Sequence, residues 1–193
     1  MFSPKLKEYK IILASGSPRR QQFFKDLGLD FEIRLREIEE VYPDTLKADE
    51  ITDYLAELKG KAFDGTLGDG ELLITSDTIV WHKNKALGKP KDAEDAFEML
   101  KNLSNSTHQV ITSVSFKTND KVSTLHDYTE VTFAELSDEM IQFYISKFKP
   151  FDKAGSYGIQ DWIGLVGVKS INGSYTNVMG LPTHLVFDLF KNL

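Results

Sequence analysis

The chain has 193 residues, enough for one substantial core, because a chain of this length buries about 70% of its unfolded surface on folding. Hydrophobic residues make up 41% and charged residues 27%, with 13 Phe, 7 Tyr and 2 Trp spread along the chain, which excludes disordered and fibrous classes. A formal charge of -6 with no cysteine argues against general nucleic-acid binding and excludes disulfides, a thiolate nucleophile and Cys-ligated zinc; a polyanionic ligand must meet a local basic cluster or a metal.

Residues 1–10 carry Lys5, Lys7 and Lys10, but no apolar h-region follows and no apolar run reaches membrane-spanning length, so the expected setting is cytoplasmic. Residues 11–14 read as a short buried strand, followed by Ser15-Gly16-Ser17 and a helix that Pro18 opens, with Phe23, Phe24 and Leu27 apolar before Gly28. Asp49 begins a second helix whose apolar Ile51, Tyr54, Leu55, Leu58 and Ala62 follow a 3.6-residue period. Residues 72–76 predict a strand that ends at Asp77, residues 78–81 are extended, and the chain turns at His82-Lys83-Asn84-Lys85. Asp92 caps a helix burying Ala96, Phe97 and Leu100. Residues 110–116 and 124–134 are rich in β-branched side chains and read as antiparallel neighbours. Ser137 caps a helix with Met140, Ile141, Phe143 and Tyr144 on its apolar side; a Gly-rich stretch, 151–180, holds an Asn172-Gly173 turn, and Pro182 opens a last helix burying Leu185, Val186 and Leu189. Interleaved strands and helices without strict alternation favour a mixed α/β, or α+β, sheet.

Several groups along this order suit phosphate chemistry. In Ser15-Gly16-Ser17-Pro18-Arg19-Arg20, Ser17 at the N-cap and Pro18 at N1 leave backbone N–H groups pointing out of the helix start, an anion site in outline. Two arginines in that first turn oppose the helix dipole, at a cost of up to about 1 kcal/mol each, unless a negative ligand or a carboxylate answers them. Asp77, between Ser76 and Thr78, sits where α/β sheets present catalytic or metal-binding carboxylates, although a strand-end Asp capping a turn is equally ordinary. Glu37, Glu39 and Glu40 form an acidic cluster able to bring a second carboxylate to a metal, or a solvated face. Lys59 at the edge of the second helix and Lys89 in Gly88-Lys89-Pro90 can act as point-charge phosphate clamps, and Gln160 beside Ile159 and Gly158 can read a base edge. Gly-Val-Lys-Ser in residues 167–170 lacks the order of a P-loop, there is no GxGxxG or GxSxG run, and His82, His108, His126 and His184 lack zinc-ligand spacing.

Leu13-Ala14-Ser15-Gly16-Ser17-Pro18-Arg19-Arg20, Ser76-Asp77-Thr78-Ile79-Val80, Gly88-Lys89-Pro90 and Phe151-Asp152-Lys153-Ala154-Gly155-Ser156-Tyr157-Gly158-Ile159-Gln160 stand in this order, followed by Ile171-Asn172-Gly173-Ser174-Tyr175 and Val178-Met179-Gly180-Leu181-Pro182. Together they resemble the Maf family of nucleoside triphosphate pyrophosphatases over nearly the whole chain. The resemblance implies one domain, residues 1–193, with two lobes and a mixed sheet lining a central cleft, shared with inosine triphosphate pyrophosphatases and usually found as a homodimer. It implies Asp77 as proton acceptor, with Ser15, Arg19, Arg20, Lys59 and Lys89 holding the triphosphate, Glu40 assisting Asp77 at a divalent metal, Mg²⁺ or Mn²⁺, and Arg19, Thr78 and Gln160 as the discriminating positions of the branch that cleaves dTTP and UTP. Gln21-Gln22-Phe23-Phe24 departs from the family pattern, which often has a glutamate and two leucines there, so that Gln22 replaces a carboxylate by an amide.

The expected reaction is hydrolysis of dTTP, UTP or modified pyrimidine nucleotides to the nucleoside monophosphate and pyrophosphate. A nucleotide-binding regulator of cell division with little turnover is the rival reading; a single-stranded nucleic-acid binder would need a basic groove that the acidic composition disfavours.

Overall fold

The computed structural model describes residues 2–193, and its apolar side chains gather into separate cores that divide the chain into two compact units. The first comprises the chain up to Asp77 with Thr112–Asp127 and Gly180–Leu193; the second comprises Thr78–Ile111 and Tyr128–Met179. The strands are β1 (Lys10–Leu13), β2 (Phe31–Ile33), β3 (Glu71–His82), β4 (Lys85–Leu87), β5 (Thr107–Lys117), β6 (Val122–Phe133) and β7 (Val168–Asn172), hydrogen-bonded in the order β2-β1-β3-β5-β6-β7 with β4 beside β3. Parallel pairs (β1 with β2 and β3) coexist with antiparallel ones (β3 with β4, β6 with β7), so the sheet is mixed, as its irregular alternation with helices predicts.

In the first unit β1 and β3 are buried on both sides. Ile11, Leu13, Leu72 and Ile74 join Phe24 of α1 (Pro18–Asp26) and Val186 and Phe190 of α7 (Thr183–Lys191), whereas Ile12 and Leu73, one residue out of step, join Phe63 and Leu67. The two-residue alternation of a strand thus fills two clusters, each fully buried aliphatic side chain contributing about 1.5–3 kcal/mol. The first helix stops where the sequence predicts: Gly28 takes φ of 70°, a conformation that costs a glycine nothing, and its N–H closes on the Lys25 carbonyl at 2.9 Å. The second helix, α2 (Asp49–Lys61), buries Ile51, Leu55 and Ala56.

In the second unit the chain turns through Lys83 and Asn84, both at positive φ, into the β3–β4 hairpin. Asp92 caps α3 (Ala93–Leu103) by accepting from the Asp95 N–H at 2.9 Å, and Ser137 caps α4 (Asp138–Phe148) in the same way from Met140. Ala96, Leu100, Leu103, Val131, Phe133, Ile141 and Tyr144 form the core there, and two short helices, α5 (Trp162–Gly167) and α6 (Tyr175–Val178), flank β7. His108 is buried with its Nε2 2.7 Å from the Tyr157 hydroxyl, and burial, reinforced by His82, holds its pKa down to about 3.

Two expectations change. Phe143 is 42% exposed and packs on Trp162 at 4.9 Å between ring centroids, its place in the core taken by Ile145. The strand expected to end before Asp77 is continuous from Glu71 to His82, with Asp77 in its middle. The polar run Ser76-Asp77-Thr78 breaks the apolar pattern without breaking the strand: the Asp77 carboxylate pairs with Lys59, and the Ser76 carbonyl accepts from Arg20 and Lys59.

At the start of β3, Glu71 accepts a two-pronged contact from Arg34, both distances 2.9 Å, and a third bond from the Gly68 N–H at 3.0 Å. These donors, Arg34 first, hold the Glu71 carboxyl at about 2, well below its ordinary value near 4.5. A depressed carboxylate contributes stability that is complete above its unfolded pKa and disappears as pH falls through the folded one. Thermal melting followed from pH 6 to pH 2 is therefore expected to show a steep loss below about pH 4.5, and Glu71→Gln to flatten that limb while lowering Tm at neutral pH.

Candidate functional site

Asp77 is a carboxylate buried in the middle of a strand, 6% exposed, a position that costs several kcal/mol unless opposite charge or donors answer it. The first answer is Lys59. Its ammonium lies 2.5 Å from Asp77 Oδ1, 3.0 Å from Glu40 Oε1 and 3.4 Å from the Ser76 carbonyl. Lys59 stands on the last turn of α2, where a cation suits the helix dipole. That helix is pinned to β3 by Thr75, whose buried hydroxyl donates to the Ala56 carbonyl at 2.6 Å, one turn before Lys59 and two residues before Asp77.

The second answer is Arg20. Its Nε donates to the Gly180 carbonyl at 2.6 Å and its Nη1 to the Ser76 carbonyl at 2.9 Å, so one guanidinium ties α1 to the strand beside Asp77 and to the turn that leads into α7. Burial pulls its pKa below the usual arginine value, against the opposing pull of Asp77. Arg19, partly buried one residue earlier, and Glu40 act on the same guanidinium. Ser15 is buried, and its hydroxyl accepts from the Ser17 N–H at 3.3 Å while its carbonyl accepts from the Gln21 amide at 3.0 Å. Ser17 is at the N-cap as expected, but its own side chain makes no cap bond; Ser15 and Gln21 shape this helix entry instead.

Ser15, Arg19, Arg20, Glu40, Lys59 and Asp77 all belong to the first unit, and the structure gathers Arg20, Lys59, Glu40 and Asp77 into one charge cluster. Glu37 and Glu39 are exposed. Gln22 is on the outer face of α1, where its amide donates to Asp26 at 2.7 Å, so the departure from the family pattern falls on a surface pair one helical turn apart. Asp77 and Glu40 converge on one ammonium, and carboxylate oxygens are the donors that hard divalent cations take, so this pair fits such an ion. A second set that could hold an ion, missed in the sequence because its members are far apart, brings His126 of β6 beside Asp49 and Asp53 of α2; His126 Nδ1 is 3.1 Å from Asp53 Oδ2.

Thr78, Lys89 and Gln160 belong to the second unit. Thr78 follows Asp77 along β3 and is partly buried, while Lys89 and Gln160 are exposed. Their loops are tied together, since the Gly155 N–H donates to the Gly88 carbonyl at 3.0 Å. Gly155 sits at φ of 65° with Val80 of β3 against it; a Cβ there would come within 2.7 Å of that valine. Glycine is required by both the conformation and the approach.

Residues 10–193 match the family model described as "Maf-like protein". The chain is 66% identical over 193 residues, all of both chains, to a protein of Flavobacterium johnsoniae named dTTP/UTP pyrophosphatase, and 65% identical to one of Flavobacterium psychrophilum with the same name, over 100% of this chain and 98% of the other. Among solved structures, the Staphylococcus aureus Ham1 protein aligns at 18% identity with a TM-score of 0.45 over 67% of this chain and 72% of its own, a likeness too shallow to argue from.

The double carbonyl contact of Arg20 cannot be made by a lysine, which keeps the charge but lacks the planar fork. Arg20→Lys is expected to lower stability by about 2–4 kcal/mol in denaturant melts.

Proposed function

The chain belongs to the Maf-like protein family, and on that premise we propose that it hydrolyses dTTP and UTP to the nucleoside monophosphate and pyrophosphate, with Asp77 as proton acceptor. It is a hydrolase acting on nucleoside triphosphates, as its full-length relatives are named. The observation that carries the assignment of the site is the convergence of Asp77 and Glu40 on the single ammonium of Lys59 beside Arg20: a buried base flanked by cations suits a polyphosphate and little else.

In this reading a water oxygen attacks the α-phosphorus, the bond from that phosphorus to the bridging oxygen breaks, and pyrophosphate leaves in line. Asp77 takes the water proton. Ser15, Arg19, Arg20, Lys59 and Lys89 hold the triphosphate, and their positive groups balance the charge that accumulates on the leaving pyrophosphate, where exclusion of water makes each contact worth more. Asp77 and Glu40 are the residues that would hold Mg²⁺ or Mn²⁺, which when bound polarises phosphate oxygens and acidifies water. A triphosphate or cation entering the cluster competes with the present pairing, so Lys59 exchanges a carboxylate partner for a phosphate one. Arg19, Thr78 and Gln160 select the pyrimidine base, Gln160 through the donor and acceptor of its amide.

Incubation with Mg²⁺ and a panel of dTTP, UTP, CTP and modified uridine triphosphates is expected to release pyrophosphate, not orthophosphate, with dTTP and UTP preferred. Asp77→Asn keeps the shape but removes the base; its expected rate is lower by about 10²-fold or more, with nucleotide binding by calorimetry retained. An unchanged rate would sink the assignment of Asp77, and tight binding without pyrophosphate release would favour a regulator.

A further inference from the structure

Gln160 is exposed, yet the chain around it is held with unusual care. Tyr144, fully buried on α4, donates its hydroxyl to Asp161 Oδ2 at 2.7 Å and accepts from the Gly158 N–H at 3.0 Å. The loop closes on itself through the Asp161 N–H to the Gly158 carbonyl at 3.0 Å and the Gly164 N–H to the Asp161 carbonyl at 2.9 Å. Gly158 lies under both neighbouring side chains: a Cβ there would stand 2.6 Å from Asp161 Oδ2 and 3.0 Å from Gln160 Nε2. At Gly164 a Cβ would fall 1.8 Å from the Ile159 carbonyl oxygen. The Gln160 amide and the Asp161 carboxylate therefore both crowd the space that a side chain at Gly158 would need, and the Tyr144 hydroxyl holds that carboxylate. Lys153 stands 4.0 Å from the same carboxylate and 2.7 Å from Asp152.

We infer that Tyr144 and Asp161 are positioning residues for Gln160, together fixing where its amide stands and hence which base edge it accepts. The inference deepens the proposed function and rests on its assignment of Gln160 to the base. The Tyr144 hydroxyl finds its partners in the two residues that bracket Ile159 and Gln160. Burial, with the bond to Asp161, raises the phenol's pKa, so the hydroxyl remains a donor throughout the neutral range.

The test compares kcat and KM for UTP and CTP in the wild type, Gln160→Ala, Tyr144→Phe, Asp161→Ala, Asp161→Asn and the Tyr144→Phe, Gln160→Ala double variant, with melting temperatures taken alongside. Tyr144→Phe keeps the ring in the core and removes only the hydroxyl. It is expected to raise KM for UTP about tenfold with kcat within about twofold, and to shrink the UTP-to-CTP ratio of kcat/KM toward that of Gln160→Ala. In the double variant the ratio should be that of Gln160→Ala alone, because a misplaced amide and a missing one lose the same contact. Asp161→Asn, which retains an acceptor for the phenol, should recover most of the selectivity lost in Asp161→Ala; this pair also serves if Tyr144→Phe does not fold. A ratio that falls in Gln160→Ala but stays at the wild-type value in Tyr144→Phe and Asp161→Ala overturns the inference. A ratio unmoved by Gln160→Ala itself overturns the assignment of Gln160 on which it stands.

Discussion

A carboxylate buried in the middle of a strand has to be answered by positive charge, and the arrangement of the first unit follows from meeting that demand at Asp77. The answer comes from two helices. The second helix contributes Lys59 from its last turn, held at its station by the Thr75 hydroxyl; the first contributes Arg20, whose two carbonyl contacts, at Ser76 and Gly180, restrain the strand and the approach to the last helix at once. Neither cation is spent on surface solubility. Removing either would leave a buried charge or unpaired backbone carbonyls, and both outcomes cost more than the contact itself contributes.

This ion cluster also shows how the proposed polyanion site fits a chain of net charge -6. The acidic excess lies elsewhere, and the cations Arg20 and Lys59 balance the carboxylates Asp77 and Glu40 within the cluster. In the proposed reaction a triphosphate brings its own negative charge to a place where positive charge is already built and partly dehydrated.

Much of this was legible in the sequence, and the reasons differ by element. The hairpin turn at Lys83-Asn84, the caps at Asp92 and Ser137 and the stop at Gly28 are local chemistry, and local chemistry is readable from adjacent residues. The charge cluster was readable only as separate candidates, since Arg20 meets carbonyls 56 and 160 residues away. The continuity of β3 through Ser76-Asp77-Thr78 was hidden for the same reason: the Asp77 carboxylate is answered by Lys59, 18 residues away. Gln22, which stood out against the family pattern, proves to be a surface residue, while Gln21 beside it braces the Ser15 carbonyl. The set of Asp49, Asp53 and His126 follows no spacing rule because a helix and a strand separate its members.

The unbroken run of β3 through Asp77 and Thr78 bears on how such an enzyme can diverge. Asp77, proposed as proton acceptor, and Thr78, proposed to act in base choice, are joined by one peptide bond, and successive residues of a strand face opposite ways. Inserting or deleting a single residue in this strand would exchange their faces and disturb both positions together. With the roles proposed for Asp77 and Thr78, substrate choice at this place can change by replacing one side chain with another, not by altering the length of the strand.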